Sequence, residues 1–86
     1  MYKGNMQDFV ERLDRYLHKE YGGQLRFGRV TINGLTNIFV AFFPKGVIGT
    51  QAYHIYDRED FEEQIYDYVN QKLKENVSRE FDGLSD

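Results

Sequence analysis

The pair Asn33-Gly34 constrains this chain more than any other feature. An Asn-Gly step between β-type segments is the strongest short-range hairpin signal, because both central residues of a type I′ turn need positive φ. It commits residues 24–32 and 35–43 to two antiparallel strands in the middle of an 86-residue chain. Leu25, Phe27, Ile38, Val40 and Phe42 fall on one face of that hairpin. Val30 and Ile32 are out of phase with Leu25 and Phe27, so a bulge is expected near Gly28. Pro44-Lys45-Gly46 then turns the chain, and residues 49–56 read as a third strand.

On either side of the strands the apolar period lengthens. Asn5 reads as a helix cap, followed by Met6, Phe9, Val10, Leu13, Tyr16 and Leu17 at helical spacing. Gly22-Gly23 ends that helix, since glycine takes the left-handed conformation without steric cost. After the third strand Asp57 reads as a second cap, with Asp60 three residues on. Phe61, Ile65, Val69, Leu73 and Val77 repeat every four residues with Tyr68 beside them, which carries the helix to about Ser78. Residues 79–86 are expected to be a frayed tail onto which Phe81 and Leu84 could dock. The element order is α-β-β-β-α. The expected fold is a single α+β domain spanning residues 1–86, a three-stranded antiparallel sheet with two helices packed on one face.

Composition excludes several chemistries. With no cysteine, the chain has no disulfide, no thiolate nucleophile and no cysteine-ligated zinc. His18 and His54 stand alone, without metal-ligand spacing. The eight glycines form no phosphate-binding loop. No nucleophile–base arrangement follows from spacing, so the chain reads as a non-enzyme without a cofactor. The longest apolar run, residues 38–44, is too short to span a bilayer, and the first residues lack the apolar stretch of a signal peptide. A soluble cytoplasmic protein is expected.

Charge supplies the functional lead. Residues 1–56 carry a net +3 and residues 57–86 a net −6, together the chain's −3. Much of the acid lies where the second helix begins. At about 100° per residue, Asp60, Glu63 and Asp67 line up on a flank away from the apolar stripe, with Glu59 and Asn70 adjoining. Acids in a first turn also complement the helix dipole, and a solvated helix face is ordinarily charged. Like charges at these spacings repel, however, and no lysine intervenes between Glu59 and Asn70. Tyr56 and Tyr66 flank the row, and tyrosine beside carboxylates suits a protein-binding surface.

The segment Tyr56-Asp57-Arg58-Glu59-Asp60-Phe61-Glu62-Glu63, in a small acidic cysteine-free chain, resembles the acidic segments of small phage-encoded anti-CRISPR proteins. Those proteins inhibit Cas9-type nucleases, some of them by mimicking DNA. The resemblance implies a protein partner that binds nucleic acid, such as a Cas nuclease in a bacterial cytoplasm. It implies that Glu59, Asp60, Glu63 and Asp67 engage arginine and lysine pockets; Asp57, Tyr56 and Tyr66 complete the expected partner-binding set. The net-basic first half departs from thorough DNA mimics, which are acidic over most of their surface.

Two other readings stay open. The order α-β-β-β-α is also that of double-stranded-RNA-binding domains, and Arg12, Arg15 and Lys19 form a basic stripe that Arg26, Arg29 and Lys45 could extend. Those domains place lysines at the start of the second helix, where this chain has acids, so direct nucleic-acid binding ranks below protein binding. A homodimer is the third, with the positive half of one copy facing the negative half of another or with strand edges pairing.

Overall fold

The hairpin forms as the Asn-Gly step dictates. In the computed structural model, which describes the backbone of residues 2–85 and the side chains of residues 5–75, Asn33 and Gly34 take φ of 51° and 80°. They join β1 (Gln24–Ile32) to β2 (Leu35–Phe43). The antiparallel register runs unbroken from Gln24↔Phe43 to Ile32↔Leu35, so the expected bulge near Gly28 is absent. The phase change has another cause. Leu25 is buried and Phe27 half-buried on the helix-bearing face, but Arg29 and Thr31 on that same face are exposed. The helices cover only the first part of β1, and Val30 and Ile32 point from the opposite face into solvent at 48% and 54% exposure. Pro44 accepts a hydrogen bond from the Val47 amide at 3.0 Å, closing the next turn with Gly46 at φ 81°. The third strand, β3, is shorter than its sequence suggests: Tyr53–Ile55 alone pairs with β2, and the sheet order is β1-β2-β3.

The first helix, α1 (Tyr2–Tyr21), begins ahead of Asn5, which lies inside it rather than capping it. Gly22 ends it in the left-handed conformation (φ 71°), its amide donating to the His18 carbonyl at 2.9 Å. Gly23 is required for a different reason. A Cβ there would sit 2.7 Å from the Phe42 ring and 3.2 Å from the Phe43 carbonyl oxygen.

The second helix, α2 (Phe61–Ser85), starts later than the Asp57 cap implies. The Asp60 carbonyl accepts its first bond, from the Gln64 amide at 3.1 Å, which makes Asp60 the cap residue. Gln64 explains the shift. Its carboxamide accepts from the Tyr56 amide at 2.9 Å and donates to the Tyr56 carbonyl at 3.1 Å and to Asp60 Oδ1 at 3.0 Å. Residues 57–60 are thereby held as a turn between β3 and the helix. Helical backbone continues to Ser85, through the stretch expected to fray. The side chains of Val77, Phe81 and Leu84 lie outside the described residues.

Alternate strand residues Leu25, Ile38, Val40, Phe42 and Ile55 meet Met6, Val10, Leu13 and Leu17 of α1 and Phe61, Ile65 and Val69 of α2 in one core. Both helices therefore pack on one face of the sheet, as the pattern predicts. Tyr68 ties α2 to the sheet: its hydroxyl accepts from the buried Phe42 amide at 3.0 Å and donates to the Gln51 carbonyl at 3.1 Å. Asp14 ties α1 to the edge strand by accepting from the Leu25 amide at 2.7 Å.

Candidate functional site

Around α2 the buried positions Phe61, Ile65, Tyr68 and Val69 define the inward direction. Glu63 and Asp67 point away from it, on the outer side of the helix, and both are exposed. Among the described residues no cation lies within 4 Å of Glu62, Glu63 or Asp67. The other acids of the row sit differently. Asp57 and Glu59 are exposed in the turn before α2. Asp60 is committed locally, to Gln64 and to the Arg58 guanidinium at 3.3 Å. The row expected from sequence is thus a helical pair, Glu63 and Asp67, approached by a turn whose last carboxylate already has partners. Farther along the same face Asn70 and Lys74 are exposed, so the acidic stretch ends within about two turns.

The two tyrosines bracket this face. Tyr66 lies on the α1 side, its ring edge-on to Phe9 with centroids 5.2 Å apart, and is 46% exposed. Tyr56 is held on the sheet side by the Gln64 carboxamide; its ring meets His54 edge-on at 4.6 Å and lies 4.9 Å beneath the Arg58 guanidinium. Both rings present half of their surface to solvent without having to reorganise, because each is already fixed by a packed neighbour.

The basic residues do not gather into one surface. Arg12, Arg15 and Lys19 are exposed on α1, and Arg12 lines an open groove of about 540 Å³ with Phe9, Leu13, Tyr16, Glu62 and Tyr66. Arg26 projects from the opposite face of the sheet, its Nη2 donating to Gln24 Oε1 at 2.8 Å. Arg29 stands on the helix-bearing face near the hairpin, 6.0 Å from the Phe27 ring centroid. Lys45 lies along the glycine turn, its side chain beside Gly22. Strand alternation alone separates Arg26 from Arg29.

The α1–α2 groove offers little for catalysis. Its polar side chains are Arg12, Glu62 and the phenols of Tyr16 and Tyr66. The Tyr16 phenol is raised above its ordinary value chiefly by the charge of Tyr21, and further by burial, by its hydrogen bond to Tyr21 and by Glu20. It therefore stays protonated at neutral pH. Among the described residues no three His, Asp or Glu side chains gather to hold a metal ion. His18 faces the Gly23 carbonyl at 3.3 Å, and His54 lies between Phe39 and Tyr56.

Protein-family profiles, curated proteins and solved structures give no match to this chain. The functional reading stands on geometry and charge. No described helix is long and apolar enough to cross a membrane. Two residues central to the site escaped sequence reading. Gln64 positions both Tyr56 and the cap, and the only sign was an amide one turn after Asp60. Tyr68 was recognisable as a core residue, but not as the donor and acceptor that joins α2 to β2.

Proposed function

We propose that this chain is a non-enzymatic protein-binding domain whose contact surface is the outer face of α2 and the turn before it. One observation carries the reading: Glu63 and Asp67 are exposed on one helix face, and among the described residues no cation lies within 4 Å of either. A helix under selection for stability alone gains by placing a lysine four residues from such an acid. Leaving the charges open keeps them available to a partner. That partner is a protein with an arginine- and lysine-lined groove of the kind that grips a nucleic-acid backbone. In the sharpest version it is a Cas9-type nuclease and the chain is its inhibitor, as the likeness to anti-CRISPR proteins implies. Glu63 and Asp67 would engage the groove, Asp57 and Glu59 would extend the negative field, and Tyr56 and Tyr66 would supply contact area on the two flanks. The committed Asp60 would serve the site by fixing the helix start.

The test is competition. A guide-loaded Cas9-type nuclease is incubated with labelled target DNA and increasing amounts of the chain. Displacement of DNA that weakens as salt rises is the expected result. Undiminished DNA binding at a large excess of the chain contradicts the Cas version, and capture of no basic protein by the chain contradicts the reading as a whole.

A further inference from the structure

The two faces of the sheet are chemically unlike. One is covered by the helices. The other, which no described element covers, carries Arg26, Gly28 and Val30 of β1, Phe39 and Phe43 of β2, and His54 of β3. Residues 22–56, which contain the whole sheet, include no Asp or Glu but do include Arg26, Arg29 and Lys45. Every acid of the chain lies in the helices and their flanks. A polyanion is therefore repelled from the outer face of α2, whereas the strand residues of the uncovered face include no acid and one cation, Arg26.

The uncovered face also holds a line of flat groups. Phe39 and His54 lie 5.3 Å apart, His54 and Tyr56 4.6 Å, and the Arg58 guanidinium caps the line 4.9 Å over Tyr56. The rings are stepped rather than coplanar, with Phe39 and His54 inclined at 56° and His54 and Tyr56 at 82°, and Phe39 and His54 are each half-buried.

Gly28 is the third observation. A glycine in mid-strand weakens the strand, and it ordinarily marks a bulge, a bend or a close approach by another group. Here the fold supplies none of these reasons. Its φ is not positive, the register passes through Gly28↔Phe39 without a break, and a Cβ would meet no atom within 4 Å. Phe39, directly opposite, sits against His54 instead of covering the glycine. The result is a flat notch between Arg26 and Val30 with Phe39 as its wall.

We propose that the uncovered sheet face binds single-stranded nucleic acid. Bases lie on Phe39 and His54, one of them lies against the Gly28 backbone, and Arg26 holds a phosphate. Aromatic side chains on an open sheet are a recurrent platform for unstacked bases, and stacking tolerates any sequence because every base has a π-face. A duplex hides those base faces. With one phosphate held, log affinity falls against log salt with a slope of roughly −0.7. The inference rests on Arg26, Gly28, Phe39 and His54, none of which belongs to the acidic face, so either reading can fail without the other.

The test is fluorescence anisotropy of the full chain with labelled 12-mers of thymidine and of uridine and with a 12-bp duplex, at low and moderate salt. The single strands are expected to bind and the duplex to bind at least tenfold more weakly; a difference between the two 12-mers reports which sugar the face prefers. Phe39→Ala should weaken binding roughly five- to 150-fold, the range for loss of one stacked base. Gly28→Val should weaken it at least fivefold while melting no lower than the parent, because the new side chain enters open space. Arg26→Glu should lower affinity and flatten the salt slope. The proposal is overturned if neither 12-mer binds at about 100 µM protein, if the duplex binds equally well, or if Gly28→Val and Phe39→Ala bind like the parent. Sedimentation showing a dimer that Phe39→Ala dissociates would likewise overturn it, assigning the face to self-association.

Discussion

Replacing Tyr68 by Phe removes one oxygen and isolates the bond between α2 and the sheet. The ring stays, and with it the stack on Tyr53 at 5.0 Å and 10°. Two hydrogen bonds are lost, to the Phe42 amide and to the Gln51 carbonyl. They are unequal. The Phe42 amide is buried, so its unpaired donor costs about 1–3 kcal/mol, whereas the partly buried Gln51 carbonyl can turn to water and adds little. A loss of about 2 kcal/mol is the central expectation, a large share of the stability of a domain this small. In a chain of this length it lowers Tm by roughly 8–16 °C. Urea unfolding followed by circular dichroism measures it, with an unchanged denaturant slope showing that the native state is otherwise intact. Tyr53→Phe is the control: its hydroxyl has no protein partner among the described residues, so the expected change is within about 0.5 kcal/mol. If Tyr68→Phe unfolds with the parent, the oxygen does not join helix to sheet and the reasoning is wrong.

Gly23→Ala places a Cβ 2.7 Å from the Phe42 ring and should destabilise by about 1–3 kcal/mol. Trimming the ring with Phe42→Leu should recover part of that loss, which a double-mutant cycle reads directly; strict additivity would refute the clash. Gln64→Ala removes the clamp on Tyr56 and Asp60, and should cost about 1–2 kcal/mol. The Tyr56 amide should then exchange hydrogen markedly faster, while exchange in mid-α1 is unchanged apart from any global loss of stability.

The fold was legible in the sequence where backbone chemistry leaves few choices. Asn33-Gly34 fixed the hairpin, Gly22 the end of α1, and the four-residue apolar spacing from Phe61 the buried side of α2. Errors fell where side-chain partners outweigh local propensity. Asp57 and Asp60 are equally good caps by residue type, and the choice between them is made by Gln64 and its bonds to Tyr56. The imagined bulge arose from assuming that all of β1 is half-buried; burial in fact stops after Phe27, where the helix layer ends. The candidate site was legible in composition but not in placement. Strand alternation puts Arg26 on one face and Arg29 on the other, and a local ion pair withdraws Asp60 from the row. The meaning of Gly28 could not be read from sequence, because it depends on the empty space around it.

The central claim is that the outer face of α2 binds a basic protein, and Glu63→Lys/Asp67→Lys tests it most directly. Both side chains are exposed and have no ion-pair partner among the described residues, so the fold should tolerate the change, with about 1 kcal/mol lost through the helix dipole at Glu63. The parent and the variant, matched by circular dichroism, are immobilised and offered a guide-loaded Cas9-type nuclease and a bacterial lysate across a salt series. Salt-sensitive capture of a nucleic-acid-binding protein by the parent, and at least tenfold weaker capture by the variant, is the predicted result. Equal capture by both, or capture of no such protein by the parent, contradicts the account.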